Sequence, residues 1–136
     1  MDKYIDKLIK LTKKCKKHMD VPVSAIIVKN GKVISTGYNK REKNKLTTSH
    51  AEIIAIQKAN KKLKNYFLYD CDLYVTLKPC SMCEKVINSA RINNVYYILE
   101  KPECKLDYNK TIYNKIDSFY EKKYKKTLHD FFNNLR

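Results

Sequence analysis

Leu73-Tyr74-Val75-Thr76-Leu77 runs through Lys78 directly into Pro79-Cys80-Ser81-Met82-Cys83, and Val95-Tyr96-Tyr97-Ile98-Leu99 follows some ten residues later. β-Branched and aromatic residues in the two outer runs predict strands. Pro79 suits the first turn of a helix running through Val86 and Ile87 to about Ala90, because its fixed φ and missing N–H cost nothing there. Strand, helix, strand is the unit of a layered α/β fold. Upstream, Ala51, Ile53, Ile54, Ala55, Ile56 and Ala59 predict a buried helix capped by Thr48 or Ser49. Before it, Val21 to Val28 and Lys32 to Tyr38 flank Lys29-Asn30-Gly31 and predict a hairpin with an Asn-Gly turn. Tyr4, Ile5, Leu8, Ile9, Leu11 and Thr12 recur at helical spacing up to the basic run Lys13 to Lys17, giving an amphipathic first helix with a cationic end. Beyond Pro102, Ile112, Ile116, Phe119 and Tyr120, then Leu128, Phe131, Phe132 and Leu135, predict one or two closing helices.

The 136 residues amount to a single domain spanning 1–136, and a hydrophobic content of 43% argues for a folded globule despite 32% charged residues. Apolar runs fall far short of the roughly 20 residues of a bilayer span, and Met1-Asp2-Lys3-Tyr4 opens no signal-peptide pattern. The expectation is a cytoplasmic protein with no membrane partner. A net charge of +15 invites a polyanion. Arginine supplies only Arg41, Arg91 and Arg136 of the 29 basic residues, so the lysine excess also fits an AT-rich coding bias. Five cysteines, an odd number, argue for reduced thiols over a disulfide framework.

Two of those thiols carry chemistry. Cys80 and Cys83 share one face of a helical turn, where the positive helix N-terminus favours thiolates. His50 would supply a third ligand, and zinc held by three protein ligands keeps a fourth position for water, as catalytic zinc does. Two thiolates and a neutral imidazole cancel the charge of the ion, so its water needs a neighbouring base. Glu52, two residues beyond His50, fills that role as a proton shuttle. His18, His129, Cys15, Cys71 and Cys104 lack liganding neighbours at suitable spacing and read as packing or surface residues.

His-x-Glu followed by Pro-Cys-x-x-Cys is the signature of zinc nucleobase deaminases. The chain resembles the cytidine-deaminase superfamily and, within it, the bacterial tRNA adenosine deaminases that convert the wobble adenosine to inosine. Val21-Pro22-Val23, Gly37-Tyr38-Asn39, Ser49-His50-Ala51-Glu52-Ile53 and Leu73 to Cys80 stand in that family's order, covering roughly residues 1 to 97. Asp130-Phe131-Phe132 with Arg136 resembles the terminal helix that those enzymes lay beside the RNA loop. The resemblance implies a three-layer α/β/α fold with a central mixed sheet. It implies zinc on His50, Cys80 and Cys83, Glu52 as the catalytic residue, and substrate contacts from Asn39 and the backbone of Ala51. It further implies RNA contacts from Phe131, Phe132 and Arg136, a tRNA anticodon stem-loop as partner, and a homodimer.

Two departures stand out. Lys78 occupies a position where the family commonly has Glu, and Ile98 to Lys105 lacks the family's glycines, with Lys101 and Glu103 reversing the usual Asp and Lys. The missing glycines support an alternative, a small-molecule deaminase of guanine, cytosine or a related base. A non-catalytic deaminase-fold RNA-binding subunit is the third reading, against which Glu52 speaks.

Overall fold

The computed structural model describes residues 2–101 and 110–135, which fall into two compact units, the first within Met1–Pro102 and the second within Glu103–Arg136. The first unit holds a four-stranded sheet of β1 (Ser24–Lys29), β2 (Lys32–Tyr38), β3 (Cys71–Leu77) and β4 (Asn94–Leu99) in the order β2-β1-β3-β4. β1 pairs antiparallel with both β2 and β3, while β3 pairs parallel with β4, so the sheet is mixed. Asn30 and Gly31 both take positive φ, 51° and 75°, as the tight turn between β1 and β2 requires.

β1 and β3 are buried on both faces. Ala25, Ile27, Leu73 and Val75 face α3 (Ala51–Leu63) and α4 (Ser81–Ser89), and Ile26, Val28 and Tyr74 face Tyr4 and Leu8 of α1 (Asp2–Thr12). Alternate side chains of one strand point to opposite faces, so this partition gives helix, sheet, helix layers. Across the sheet, Tyr74 stacks on Tyr96 with centroids 4.8 Å apart, and Tyr4 closes on Tyr74 at 4.9 Å, which makes these tyrosines packing residues.

α3 approaches the sheet through small residues: Ala51, Ala55 and Ala59, four apart, are fully buried. Gly37 in β2 permits the approach, since a Cβ there would lie 2.4 Å from the Ala51 carbonyl oxygen and 2.8 Å from the Ala55 nitrogen. Ser35 Oγ adds a buried hydrogen bond, donating to the Ala55 carbonyl at 2.7 Å.

Several boundaries differ from the sequence reading. The first helix tightens into a 3₁₀ helix over Lys13–His18 as Cys15 turns inward, its thiol 3.6 Å from the Val23 carbonyl. β1 starts at Ser24 because Val21–Val23 closes a turn around Pro22, which has no N–H to offer a ladder. The N-cap of α3 is His50, not Thr48 or Ser49, and Pro79 precedes Cys80, the N-cap of α4, instead of entering the first turn. A short helix, α2 (Arg41–Asn44), was not anticipated; Asp20 caps it from afar, Oδ1 and Oδ2 accepting from the backbone of Glu42 and Lys43 at 2.6 and 3.3 Å.

In the second unit, α5 (Glu121–Asn134) forms as expected, but Ile112 and Ile116 lie in irregular chain. Only Ser118–Tyr120 is helical there, a 3₁₀ turn whose Asp117 side chain accepts from the Phe119 N–H at 2.9 Å. Among the described residues, no helix is long and apolar enough to cross a membrane.

Candidate metal centre and active site

Ser24 pairs with Tyr38, Ala25 with Val75, and Leu77 with Leu99, so the carboxyl ends of β2, β3 and β4 meet the start of β1 at one edge of the sheet. α3 and α4 begin there. Their N-caps, His50 and Cys80, and Cys83 in the first turn of α4 bring three donor atoms within 4.8 Å of one another. His50 Nδ1 lies 3.8 Å from Cys80 Sγ and 3.6 Å from Cys83 Sγ. Tetrahedral zinc with bonds of about 2.3 Å to sulfur and about 2.0 Å to nitrogen would separate N from S by roughly 3.6 Å. The borderline-soft donor set and its spacing therefore both fit zinc.

Glu52 is buried beside these donors, at 4% exposure. Burial raises its carboxyl above the ordinary range, partly countered by hydrogen bonds from its own backbone and from the Cys83 thiol. His50 is pushed down, first by burial and then by the charges of Arg41 and Lys101, which keeps the imidazole neutral and able to ligate. Burial, with the neighbouring Glu52 and Cys80, pushes the thiol of Cys83 up, against the helix N-terminus that favours the thiolate. A zinc ion on these donors would supply the charge that releases the proton.

Asn39 sits at the exit of β2 with its Oδ1 accepting from the Ala51 N–H at 3.1 Å, replacing the side-chain cap that His50 does not provide. It also lines a cavity of about 260 Å³ together with His50, Glu52, Cys80 and Val23. Ala51 is fully buried and is not among the residues lining that cavity. Asp20, Arg41, Lys78 and Lys101 do line it. Lys78 pairs with Glu100 at 3.6 Å, and Tyr97 donates to the same carboxylate at 2.6 Å. The sequence reading passed over Asp20 and Arg41 as site residues, since nothing local distinguishes them; the register of β1 on β2 brings them there.

In the second unit Phe131 and Phe132 are both exposed on α5, rings edge to face with centroids 5.2 Å apart. Arg136 and Cys104 lie outside the described residues, as do positions 102–105 of the departing segment. Cys15 and Cys71 are buried free thiols held above the ordinary range by desolvation, in keeping with packing roles.

The zinc-binding region of cytidine and deoxycytidylate deaminases matches residues 1–99. The chain belongs to this family. Zinc is the metal of that region, and the His50, Cys80 and Cys83 cluster falls within the matched residues. A tRNA-specific adenosine deaminase of Aquifex aeolicus is 46% identical over 78 residues, 57% of this chain and 52% of that protein. The chain thus spans about half the length of the curated relatives it matches. A solved tRNA:A34 deaminase superposes with a TM-score of 0.73 at 33% identity, covering 76% of this chain and 75% of the other. A guanine deaminase of Bacillus subtilis superposes with a TM-score of 0.77 at 25% identity, covering 93% and 92%. Both share the mixed sheet with flanking helices, which is the cytidine-deaminase-like fold.

Proposed function

We propose that this protein is a zinc-dependent hydrolytic deaminase that converts adenosine to inosine at the wobble position of a tRNA anticodon loop. The observation that carries the reading is Glu52, buried beside three metal donors, two of which, His50 and Cys80, line the same cavity as Glu52. The named relatives supply the substrate. His50, Cys80 and Cys83 would hold the metal, which when bound would supply Lewis-acid activation of the attacking water. Glu52 takes a proton from that water and gives it to N1 of the adenine as the oxygen bonds to C6. It then takes the remaining proton from that oxygen and passes it to the amino nitrogen, the C6–N bond breaks as the C6 carbonyl forms, and one water and one adenosine have become one inosine and one ammonia. Its raised carboxyl pKa suits both halves of this relay, because a stronger acid would be slow to accept the proton. Asn39, with its carbonyl oxygen committed to Ala51, has its amide donors left for the nucleoside.

Exposed Phe131 and Phe132 are offered for stacking on unpaired bases. A homodimer in the cytoplasm completes the proposal, with exposed Tyr97, Ile98 and Leu99 of β4 as apolar surface for a second copy to cover.

The second reading, a small-nucleobase deaminase, is favoured by the wider overlap with the guanine deaminase. Incubation of zinc-loaded protein with anticodon stem-loops carrying adenosine at the wobble position, and separately with guanine, cytosine and adenine, separates the two. Inosine in the stem-loops is the expected product, and it should vanish for Glu52→Ala. Ammonia from a free base, with no inosine in any stem-loop, would transfer the assignment to the second reading. Unchanged turnover by Glu52→Ala would refute the relay.

A further inference from the structure

Charged side chains border the cavity that the relay does not use. Arg41, Lys78 and Lys101 line it alongside Asp20, Glu42 and Glu52. Those acids are engaged: Asp20 accepts from the backbone of α2, Glu42 pairs with Lys45 at 3.1 Å, and Glu52 lies buried beside Cys83. Arg41 forms no ion pair among the described residues, and Lys78 shares Glu100 with the Tyr97 hydroxyl. The cationic side of the rim is thus the side with binding capacity to spare.

Its layout follows the sheet. Arg41 follows β2, Lys78 follows β3 and Lys101 comes two residues after β4, and β2 and β4 are the outer strands. Three strand spacings of about 4.8 Å place the two flanks on the order of 14 Å apart, a gap that two long side chains narrow from both sides. A neutral nucleobase gains nothing from three cations at the mouth. A nucleotide inside a strand carries a phosphate on each side of its sugar, and Arg grips such a group bidentately while Lys holds it as a point charge.

We propose that this rim is a two-sided phosphate site, in which Arg41 on one flank and Lys101 with Lys78 on the other bind the phosphates on either side of the nucleotide whose base enters the cavity. The identity of that base rests on the deaminase reading; the rim itself does not.

Equilibrium binding in the Glu52→Gln background, with adenosine, adenosine 5′-monophosphate and adenosine 3′,5′-bisphosphate as probes, tests the site. At low salt affinity should rise by about tenfold per phosphate, the scale of one charge-assisted contact. Arg41→Gln and Lys101→Gln should each remove about one such step, and Arg41→Lys should restore most of its own; the zinc content of each variant reports that it is folded. Equal affinity for the three probes, or an undiminished order in both Gln variants, would overturn the proposal. Inosine formation in anticodon stem-loops carrying adenosine at the wobble position is followed in parallel with the Glu52 protein. A phosphate preference without inosine supports the rim and contradicts adenosine as the reacting base, whereas inosine formed with equal affinities keeps the reaction and removes the rim.

Discussion

The oxygen of the Asn39 amide holds the first N–H of α3, and under the proposed function its nitrogen is the donor to the substrate. Substitution can separate the two roles. Asn39→Ala should lower stability by about 1 kcal/mol through the lost cap, read as a shift in urea midpoint, and should weaken substrate binding as well. Asn39→Asp keeps an acceptor at a helix N-terminus and should hold stability near the original value while still losing substrate affinity. An Asp variant with undiminished affinity would show that the cap is all Asn39 provides. The sequence suggested Asn39 only as a substrate contact, because capping of α3 from another strand depends on a register that no local pattern encodes. His50, Glu52, Cys80 and Cys83 were legible because their spacing places donors and base at the starts of two helices, whatever the rest of the chain does. The push of burial and of Glu52 on the Cys83 thiol has no such local signal, whereas the helix terminus that opposes it is visible in the sequence.

At the level of elements, the seam between α3 and β2 sets how close the donors come to the sheet edge. Gly37 lies under the first turn of α3, and Gly37→Ala would force Ala51 and Ala55 backbone away. We expect a loss of about 1–3 kcal/mol, the usual cost of overpacking, together with weaker zinc retention against a chelator, since His50 and Glu52 ride on that turn. A Gly37→Ala protein with unchanged melting and unchanged zinc retention would contradict this placement. The sequence showed the alternation of helix and strand and the Asn-Gly hairpin correctly. It failed where a tertiary contact decides: α2 is held by Asp20 from a distance, and the 3₁₀ segment bends to bury Cys15. The run from Ile112 to Tyr120 had helical spacing of apolar residues, yet only its last three described residues are helical, with Asp117 capping the turn.

For the whole molecule, a net charge of +15 acquires meaning only if the substrate is a polyanion. Binding to an anticodon stem-loop should then weaken with salt at a log–log slope of roughly −0.7 for each phosphate neutralised on single-stranded segments. A flat response between low and moderate salt would point instead to a neutral nucleobase and to lysines that serve solubility. Composition alone left this open, since a coding bias toward lysine produces the same excess; the cationic residues that border the cavity are what favour the phosphate interpretation. Everything in the account depends on one ion gathered from two distant stretches of chain. Elemental analysis of the purified protein and of its His50→Ala and Glu52→Ala variants addresses this most directly. We predict about one zinc per chain in the unmodified protein and in Glu52→Ala, and loss of it in His50→Ala, because, of these two side chains, only His50 is a ligand beside Cys80 and Cys83. Absence of zinc from the unmodified protein, or full zinc in His50→Ala, would contradict the account.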